Sequence, residues 1–335
     1  MKKTLLFKVL LPAAVVAAVC TYFVLQYQRF LNEPLALDND MSYIVEPGTN
    51  LKKISEDLKQ LGLTDLPPVY LQIYGRLTNQ AHKIKAGEYQ IEAETTLPGL
   101  LDKLVSGKVV MNAFTIIEGM TAREMITSLH AHPKIVKTLD TDSLDKVMAE
   151  LGAPEKNGEG WFLPETYHFP TGTTDIAFLR RAYQQMQESL DQAWQNRAED
   201  LPYDTPYEAL IMASIIEKET GIAEERPQIA GVFVRRLQKG MRLQTDPTVI
   251  YGLGDKFDGN LRRKDLRSDT PYNTYTRGGL PPSPICLPSV ESIRAALNPA
   301  DGDSLYFVAT GEDGRHKFSA TLKEHNNAVR RYQLK

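Results

Sequence analysis

The chain has 335 residues, 42% of them hydrophobic, enough for one sizeable core and a smaller second one, so two folded units are expected. Its 39 basic residues nearly balance its 42 acidic ones, which excludes the positive excess of a nucleic-acid binder. Only Cys20 and Cys286 are present, and the first lies inside an apolar N-terminal stretch, so the fold must stand without a disulfide between them.

Lys2 and Lys3 open the chain, and Leu5 to Tyr27 is then apolar apart from Lys8, Thr21 and Gln26. That run is close to the ~20 residues that cross a bilayer. A cleaved signal peptide shares the basic start, but the run continues through Tyr22, Phe23, Val24 and Leu25 without a small-x-small exit, so a retained anchor is expected. Cys20 is read as an ordinary membrane residue, because Val19 is bulkier than the residue that precedes a lipidated cysteine. Lys2, Lys3 and Lys8 against the single Arg29 keep the tail 1–8 cytoplasmic, with an anchor at 9–28 and everything beyond it outside. In a bacterium this is a single-pass inner-membrane protein with a periplasmic body.

Residues 29–41 read as a polar linker, followed by a strand-then-helix pattern that recurs three times. Ser42 to Glu46 precedes the turn Pro47-Gly48-Thr49 and the helical spacing of Leu51, Ile54 and Leu58. Lys85 to Glu92 precedes Thr95-Thr96 and a helix through Leu100, Leu101 and Leu104; Thr115 to Gly119 precedes Thr121 and a helix through Met125, Ile126 and Leu129. Threonine N-caps feeding helices from short strands predict a small α+β module over 42–135. It resembles a LysM module, the carbohydrate-binding β-α-α-β device, and either glycan binding or a spacer role fits that resemblance.

A polar connection with Pro133, Pro154, Gly158 and Gly160 fills 136–160, including a helix from Ser143 to Leu151, and the domain boundary is placed there. The aromatic, proline-broken run Trp161 to Pro170 either walls a sugar cleft or plugs two subdomains together. Helical signals return over Asp175 to Trp194 and from Pro206, where Leu210 to Ile216 is apolar on nearly every face and must be buried. That helix closes on Glu217-Lys218-Glu219-Thr220-Gly221, with the glycine expected to stop it. Carboxylates at a helix C-terminus oppose the dipole, which raises their pKa. Helical spacing sets Glu219 beside Ile215 and Ile216, and Glu217 beside Ala213 and Ser214, so Glu219 is the better proton donor. A capping or salt-bridging role with Lys218, Arg226 or Arg235 stays open for either glutamate.

Four ordered stretches carry a resemblance: Ala213-Ser214-Ile215-Ile216-Glu217-Lys218-Glu219-Thr220; Arg242 through Gly252; Tyr272-Asn273-Thr274-Tyr275; and Gly279-Leu280-Pro281-Pro282. They are similar to the signatures of the MltG (YceG-like) endolytic murein transglycosylases, and the likeness runs from the anchor to His325-Asn326. It implies that 161–335 is a mixed α+β catalytic domain and that Glu219 is the catalytic residue. It further implies cleavage of MurNAc-GlcNAc bonds within nascent glycan strands. Glu219 would protonate the bridging oxygen and then accept the proton of the C6 hydroxyl as a 1,6-anhydro end forms. Gln244, Thr245 and Asp246, expected on a loop, would contact substrate, and Asp246 alternatively caps a turn. Tyr272, Asn273 and Tyr275 fit a sugar-binding rim or simple packing.

No cofactor or metal is expected, since the six histidines are scattered and no His-Glu-x-x-His or Cys-x-x-Cys spacing occurs. The expected partners are glycan strands, the inner membrane and, by placement, peptidoglycan synthases. Two other readings remain: a noncatalytic wall-binding scaffold, and a hydrolytic muramidase with Asp246 as its second carboxylate.

Overall fold

The computed structural model describes residues 2–140, 143–154, 157–311 and 313–334, so residues 141–142 and 155–156 of the expected connection lie outside the described residues, as do 312 and 335 at the far end. The chain is a mixed α+β protein that divides into two compact units, residues 1–112 with 169–172, and 113–168 with 173–335.

In the first unit, helix α1 runs from Lys2 to Asn32. Its stretch Leu11–Asn32 has a mean hydropathy of 1.4 and leaves side chains such as Val16, Phe23 and Val24 exposed, a length and composition compatible with a membrane anchor. The polar linker expected at 29–41 is not a free tether. Phe30 is buried against Tyr70 and Tyr74, Arg29 bridges to Asp65, the Leu35 amide donates to the Thr95 carbonyl, and Leu35 itself is buried. A segment whose apolar residues find a core stops behaving as a linker.

Beyond it, β1 (Met41–Val45), α2 (Leu51–Gln60), α3 (Val69–Leu77) and β2 (Gly87–Ile91) follow in the order β-α-α-β, with β1 and β2 paired antiparallel from Met41↔Ile91 to Val45↔Gly87. The pleat sends Tyr43, Val45, Tyr89 and Ile91 inward. The first helix is capped by Asn50, whose side chain accepts from the Lys53 amide; the threonine turn lies one residue earlier. Helix α4 (Leu97–Ser106) starts at Thr96, as its threonine predicts, and ends at Gly107 in the left-handed region, φ 73°. Leu100, Leu101 and Leu104 complete this core.

Strand β3 (Met111–Thr115) pairs with β5 (Thr166–Pro170), and the division between units runs across both strands. The third strand–helix repeat therefore ends in the second unit, and the boundary falls near 112, not within 136–160. Its strand also closes at Thr115, so Ile116 to Gly119 is a loop. The repeat read from the sequence holds locally, in the capping box of Thr121 and Glu124 that starts α5 (Ala122–His130), but its helix buries Met125, Ile126 and Leu129 in a different core.

The second unit continues with β4 (Ile135–Val136), α6 (Leu144–Glu150) and β6 (Thr173–Thr174), the last parallel to β4, and then α7 (Asp175–Gln195). Its centre is α8 (Pro206–Glu219), opened by a Thr205–Glu208 capping box with Pro206 in the first turn. Residues Ala209 to Ile216 are all buried, against α7, α9 (Arg226–Gln238), α10 (Asp246–Leu253) and α12 (Val290–Leu297). α11 (Arg263–Arg267) is a short surface turn, and the hairpin β7 (Tyr306–Ala309) and β8 (His316–Ser319) with α13 (Leu322–Tyr332) closes the chain. The aromatic run plugs: Trp161, Phe162, Leu163 and Tyr167 are buried, with Trp161 stacked on Tyr207 at 5.8 Å.

Leu100 is fully buried in the first unit, so Leu100→Ala should cost about 2–5 kcal/mol. Urea unfolding followed by near-ultraviolet signals of the surrounding tyrosines should report a lower midpoint; an unchanged midpoint would contradict the core described here.

Candidate active site

Helix α8 does not end through Gly221, which keeps an ordinary φ; it ends because Thr220 turns to extended backbone, φ −146° and ψ 136°. The Thr220 hydroxyl accepts from the Ile222 amide and fixes the exit. The last two glutamates then face nearly opposite ways, since residues two apart on a helix are separated by about 200°.

Glu217 is committed to structure. Its Oε2 accepts from the Ser289 amide at 2.8 Å and hydroxyl at 2.5 Å, at the start of α12, and its Oε1 receives Arg226 Nη2 at 3.3 Å. The Lys218 ammonium donates to the Gly119 carbonyl at 3.0 Å. Of the basic partners considered from the sequence, Arg226 thus pairs with Glu217, while Arg235 donates to the Ser304 and Ala300 carbonyls.

Glu219 turns instead onto a groove of about 470 Å3 that it shares with Arg236, Gln244, Thr245, Asp246, Tyr275 and His316. The Thr245 hydroxyl donates to Glu219 Oε1. Burial raises the Glu219 pKa above the usual carboxylate range; the Thr245 hydrogen bond opposes this, Asp246 adds to it, and His316 and Arg236 oppose it more weakly. The residue as a whole is only partly covered because one side opens on the groove, yet its carboxyl is hemmed in by protein. The balance raises the pKa of a carboxyl that borders an open groove. Another raised carboxyl, Glu159, pushed up to about 7 by burial, is 1% exposed and accepts from the Ala122 amide and the Tyr251 hydroxyl, so it has no comparable access.

Residues 243–248 form the opposite side. Gln244 sits at φ 53°, a left-handed conformation uncommon for a residue with a side chain, and its amide donates to the Thr274 carbonyl. The buried hydroxyls of Thr248 and Thr274 meet at 2.9 Å, and the Thr245 amide donates to the Thr274 hydroxyl at 3.1 Å. This threonine cluster sets the Thr245 hydroxyl against Glu219. Asp246 is not on a loop: it is the first residue of α10, and Thr245 takes the N-cap position without a side-chain cap bond. Its exposed carboxylate accepts from the Tyr275 hydroxyl at 2.5 Å.

Of the aromatic stretch, only Tyr275 is brought to the groove. Tyr272 shares a 2.7 Å hydrogen bond with Ser283 and packs edge-on to Tyr251. Asn273 is fully buried; its Nδ2 donates to the carbonyls of Asp265, Leu266 and Ser268, and its Oδ1 accepts from the Tyr275 amide. It shapes the loop that carries Tyr275.

Sequence reasoning missed Arg236, Tyr306, His316 and His325 as groove residues. The Arg236 guanidinium donates to the Leu305 and Leu243 carbonyls, both at 2.6 Å, and lies 5.2 Å over the Tyr306 ring, tying α9 to the hairpin and to the 243–248 segment. His325 stacks on Tyr306 at 5.2 Å. Their spacing gives no signal, because they come together only through the packing of α9 on β7 and of the β7–β8 hairpin on α13. Among the described residues no group of three or more His, Cys, Asp or Glu is arranged to hold a metal ion.

The description of the YceG-like family matches residues 43–331. An endolytic murein transglycosylase of Bacillus subtilis is 30% identical over 325 residues, spanning 91% of this chain and 89% of that protein. One from Streptococcus pneumoniae is 28% identical over 341 residues, spanning 90% of this chain and 61% of that longer protein. The crystal structure of a yceG-like protein from Listeria monocytogenes aligns with a TM-score of 0.53 at 30% identity, covering 86% of this chain and 98% of that one.

The two glutamates should separate in stability measurements. Glu217→Ala leaves Arg226 and the α12 terminus without their acceptor and should destabilise the second unit by about 3–5 kcal/mol. Glu219 behaves oppositely: its folded pKa lies above the unfolded value, so stability is greatest below the ordinary carboxylate range and falls as pH rises through the raised pKa. Glu219→Gln should therefore flatten the fall in melting temperature as pH rises above the ordinary carboxylate range; a wild-type-like slope in the variant would mean that Glu219 ionises normally.

Proposed function

The chain belongs to the YceG-like family, and from that premise we propose that it is an endolytic murein transglycosylase, cutting the MurNAc-GlcNAc bond within glycan strands and leaving 1,6-anhydro-MurNAc ends. The observation that carries this reading is the Glu219 carboxyl, raised in pKa by burial yet open to a groove on one side. A carboxyl whose pKa is raised keeps its proton to higher pH than an ordinary carboxylate and can deliver it to a glycosidic oxygen.

In this reading Glu219 protonates the bridging oxygen, the C1–O4 bond breaks, and the C6 hydroxyl of the same sugar attacks C1. The attack is intramolecular, so its entropic barrier is already met by the ring that carries both atoms. The released C6 hydroxyl proton passes to a base in the groove. Thr245 aims the Glu219 carboxyl, and the Arg236 cation nearby favours the carboxylate formed as the proton leaves. Gln244, Asp246 and Tyr275 line the same groove and are the proposed sugar contacts; Tyr272 and Asn273 support them from behind.

The β-α-α-β order of 41–91 supports a LysM-like reading of the first unit, in which that segment, narrower than 42–135, contacts or spaces the glycan. Residues 9–28 are proposed as the anchor, with the tail 1–8 cytoplasmic and the remainder periplasmic at the inner membrane, and residues 161–335 as carrying the catalytic machinery. Synthases working on nascent strands near the bilayer are the proposed protein partners.

The full-length protein in detergent, incubated with purified sacculi, should release anhydro-ended fragments identified by mass spectrometry. Glu219→Gln should lower that release by at least the 100-fold to 10,000-fold expected for loss of an acid catalyst, while remaining cooperatively folded. Reducing ends in place of anhydro ends would convert the reading to hydrolysis, with Asp246 as the second carboxylate; retention on sacculi without any cleavage would leave a scaffold.

A further inference from the structure

Transglycosylation needs a base as well as an acid, and one carboxyl can fill both roles only if it gives up its proton and then takes another from a second oxygen. The groove holds a separate group suited to the second task. His316 opens β8 and lines the groove with Glu219. Its Nδ1 lies 2.8 Å from Glu225 Oε2, and its backbone amide donates to Glu225 Oε1 at 3.0 Å, so one carboxylate holds the residue at two points. The Phe307 ring meets the imidazole edge-on at 5.3 Å. Both side chains of the pair are nearly buried, His316 at 9% and Glu225 at 7%.

An imidazole whose Nδ1–H is committed to a carboxylate is fixed in the tautomer that leaves a lone pair on Nε2. No protein group among the described residues takes that nitrogen. Glu225 is itself held in the short turn 223–225 between α8 and α9, the two helices that carry Glu219 and Arg236. The acid Glu219 and the Glu225 that holds His316 are thus mounted on consecutive segments of the chain.

We propose that His316, oriented by Glu225, is the base that takes the proton of the attacking C6 hydroxyl, and that Glu219 supplies the acid half alone. The inference rests on the transglycosylase reading of this groove. Written out, the Glu219 proton goes to O4 as C1–O4 breaks, and O6 bonds to C1 as its proton moves to His316 Nε2. The imidazolium then returns a proton through solvent to the Glu219 carboxylate, restoring both groups with no net change.

The charged and titratable groups around His316 are Glu225 behind it, Glu219 and Arg236 from the central helices, Asp246 from α10, and Tyr306 and His325 from the closing hairpin and helix. Tyr275 is tied to Asp246. Turnover in this scheme needs the Nε2 lone pair of His316 free and the proton present on Glu219. The kcat/KM profile should accordingly be bell-shaped, with one limb for the group that must accept a proton and one for the group that must give it.

The test uses the full-length protein on purified glycan strands, with anhydro ends counted by mass spectrometry. His316→Gln should lower kcat about 100-fold or more with KM within about twofold, and should remove the acid limb of kcat/KM. His316→Ala should recover part of its activity in added imidazole, and Glu225→Gln should give a smaller kcat loss with a displaced acid limb. His316→Gln that keeps a third or more of wild-type kcat with the acid limb intact overturns the proposal. So does a folded, slow His316→Ala that imidazole does not rescue, which would make the residue structural. Wild-type protein that yields reducing ends defeats the transglycosylase reading itself, an outcome distinct from normal anhydro production by both wild type and His316→Gln.

Discussion

The desolvation of one carboxyl group governs the arrangement of the second unit. Glu219 can hold a proton only because the eight residues from Ala209 to Ile216 are buried and bring the end of α8 into a protein-lined site. Every neighbour of that helix serves the same condition. α12 is bound to it through Glu217, α9 supplies Arg236, and the threonine cluster of Thr245, Thr248 and Thr274 braces the facing segment. The two acids at the helix end show how position sets surroundings: one is paired with an arginine and hydrogen-bonded by a serine and becomes a joint, whereas the other has no basic partner within hydrogen-bonding distance among the described residues and faces the groove.

Much of this is legible in the chain itself. The run Leu210 to Ile216 can only be a buried helix, the spacing after it puts Glu219 on a different face from Glu217, and threonines at 96, 121 and 205 announce helix starts that the structure contains. The small strand–helix units are visible for the same reason: capping chemistry and apolar periodicity are local, and local signals survive in a linear reading. Of the two roles read for Trp161 to Pro170, burial of its aromatic side chains selects packing, the one the sequence already favoured.

What escaped is what depends on distance along the chain. Gly221 looked like a helix stop, but Thr220 had already left the helix. Asp246 looked like a loop residue because the helix begun near Arg226 ends around Gly240, although Pro247 after it is what the first turn of a new helix accommodates. Asn273 reads as a sugar ligand in isolation, yet its amide is consumed by three carbonyls within eight residues. Arg236 and His316 carry no local mark at all. They matter because a hairpin near the C-terminus folds over helices formed much earlier in the sequence, and no periodicity encodes such a meeting. The third strand–helix repeat misled for a related reason, since repetition of a local pattern does not determine which core receives the helix.

The union of α1 with the first unit has a mechanical consequence. Because Phe30, Arg29 and Leu35 are all engaged by that unit, the helix enters it without a slack hinge. If the helix stands in a bilayer, the β1–β2 element is mounted at a fixed elevation above the lipid, like a rung on a rigid post, and cannot sweep the depth of the surrounding wall. Polymer would then be sampled within one thin layer parallel to the membrane, so altitude itself becomes a selector of which strands are met.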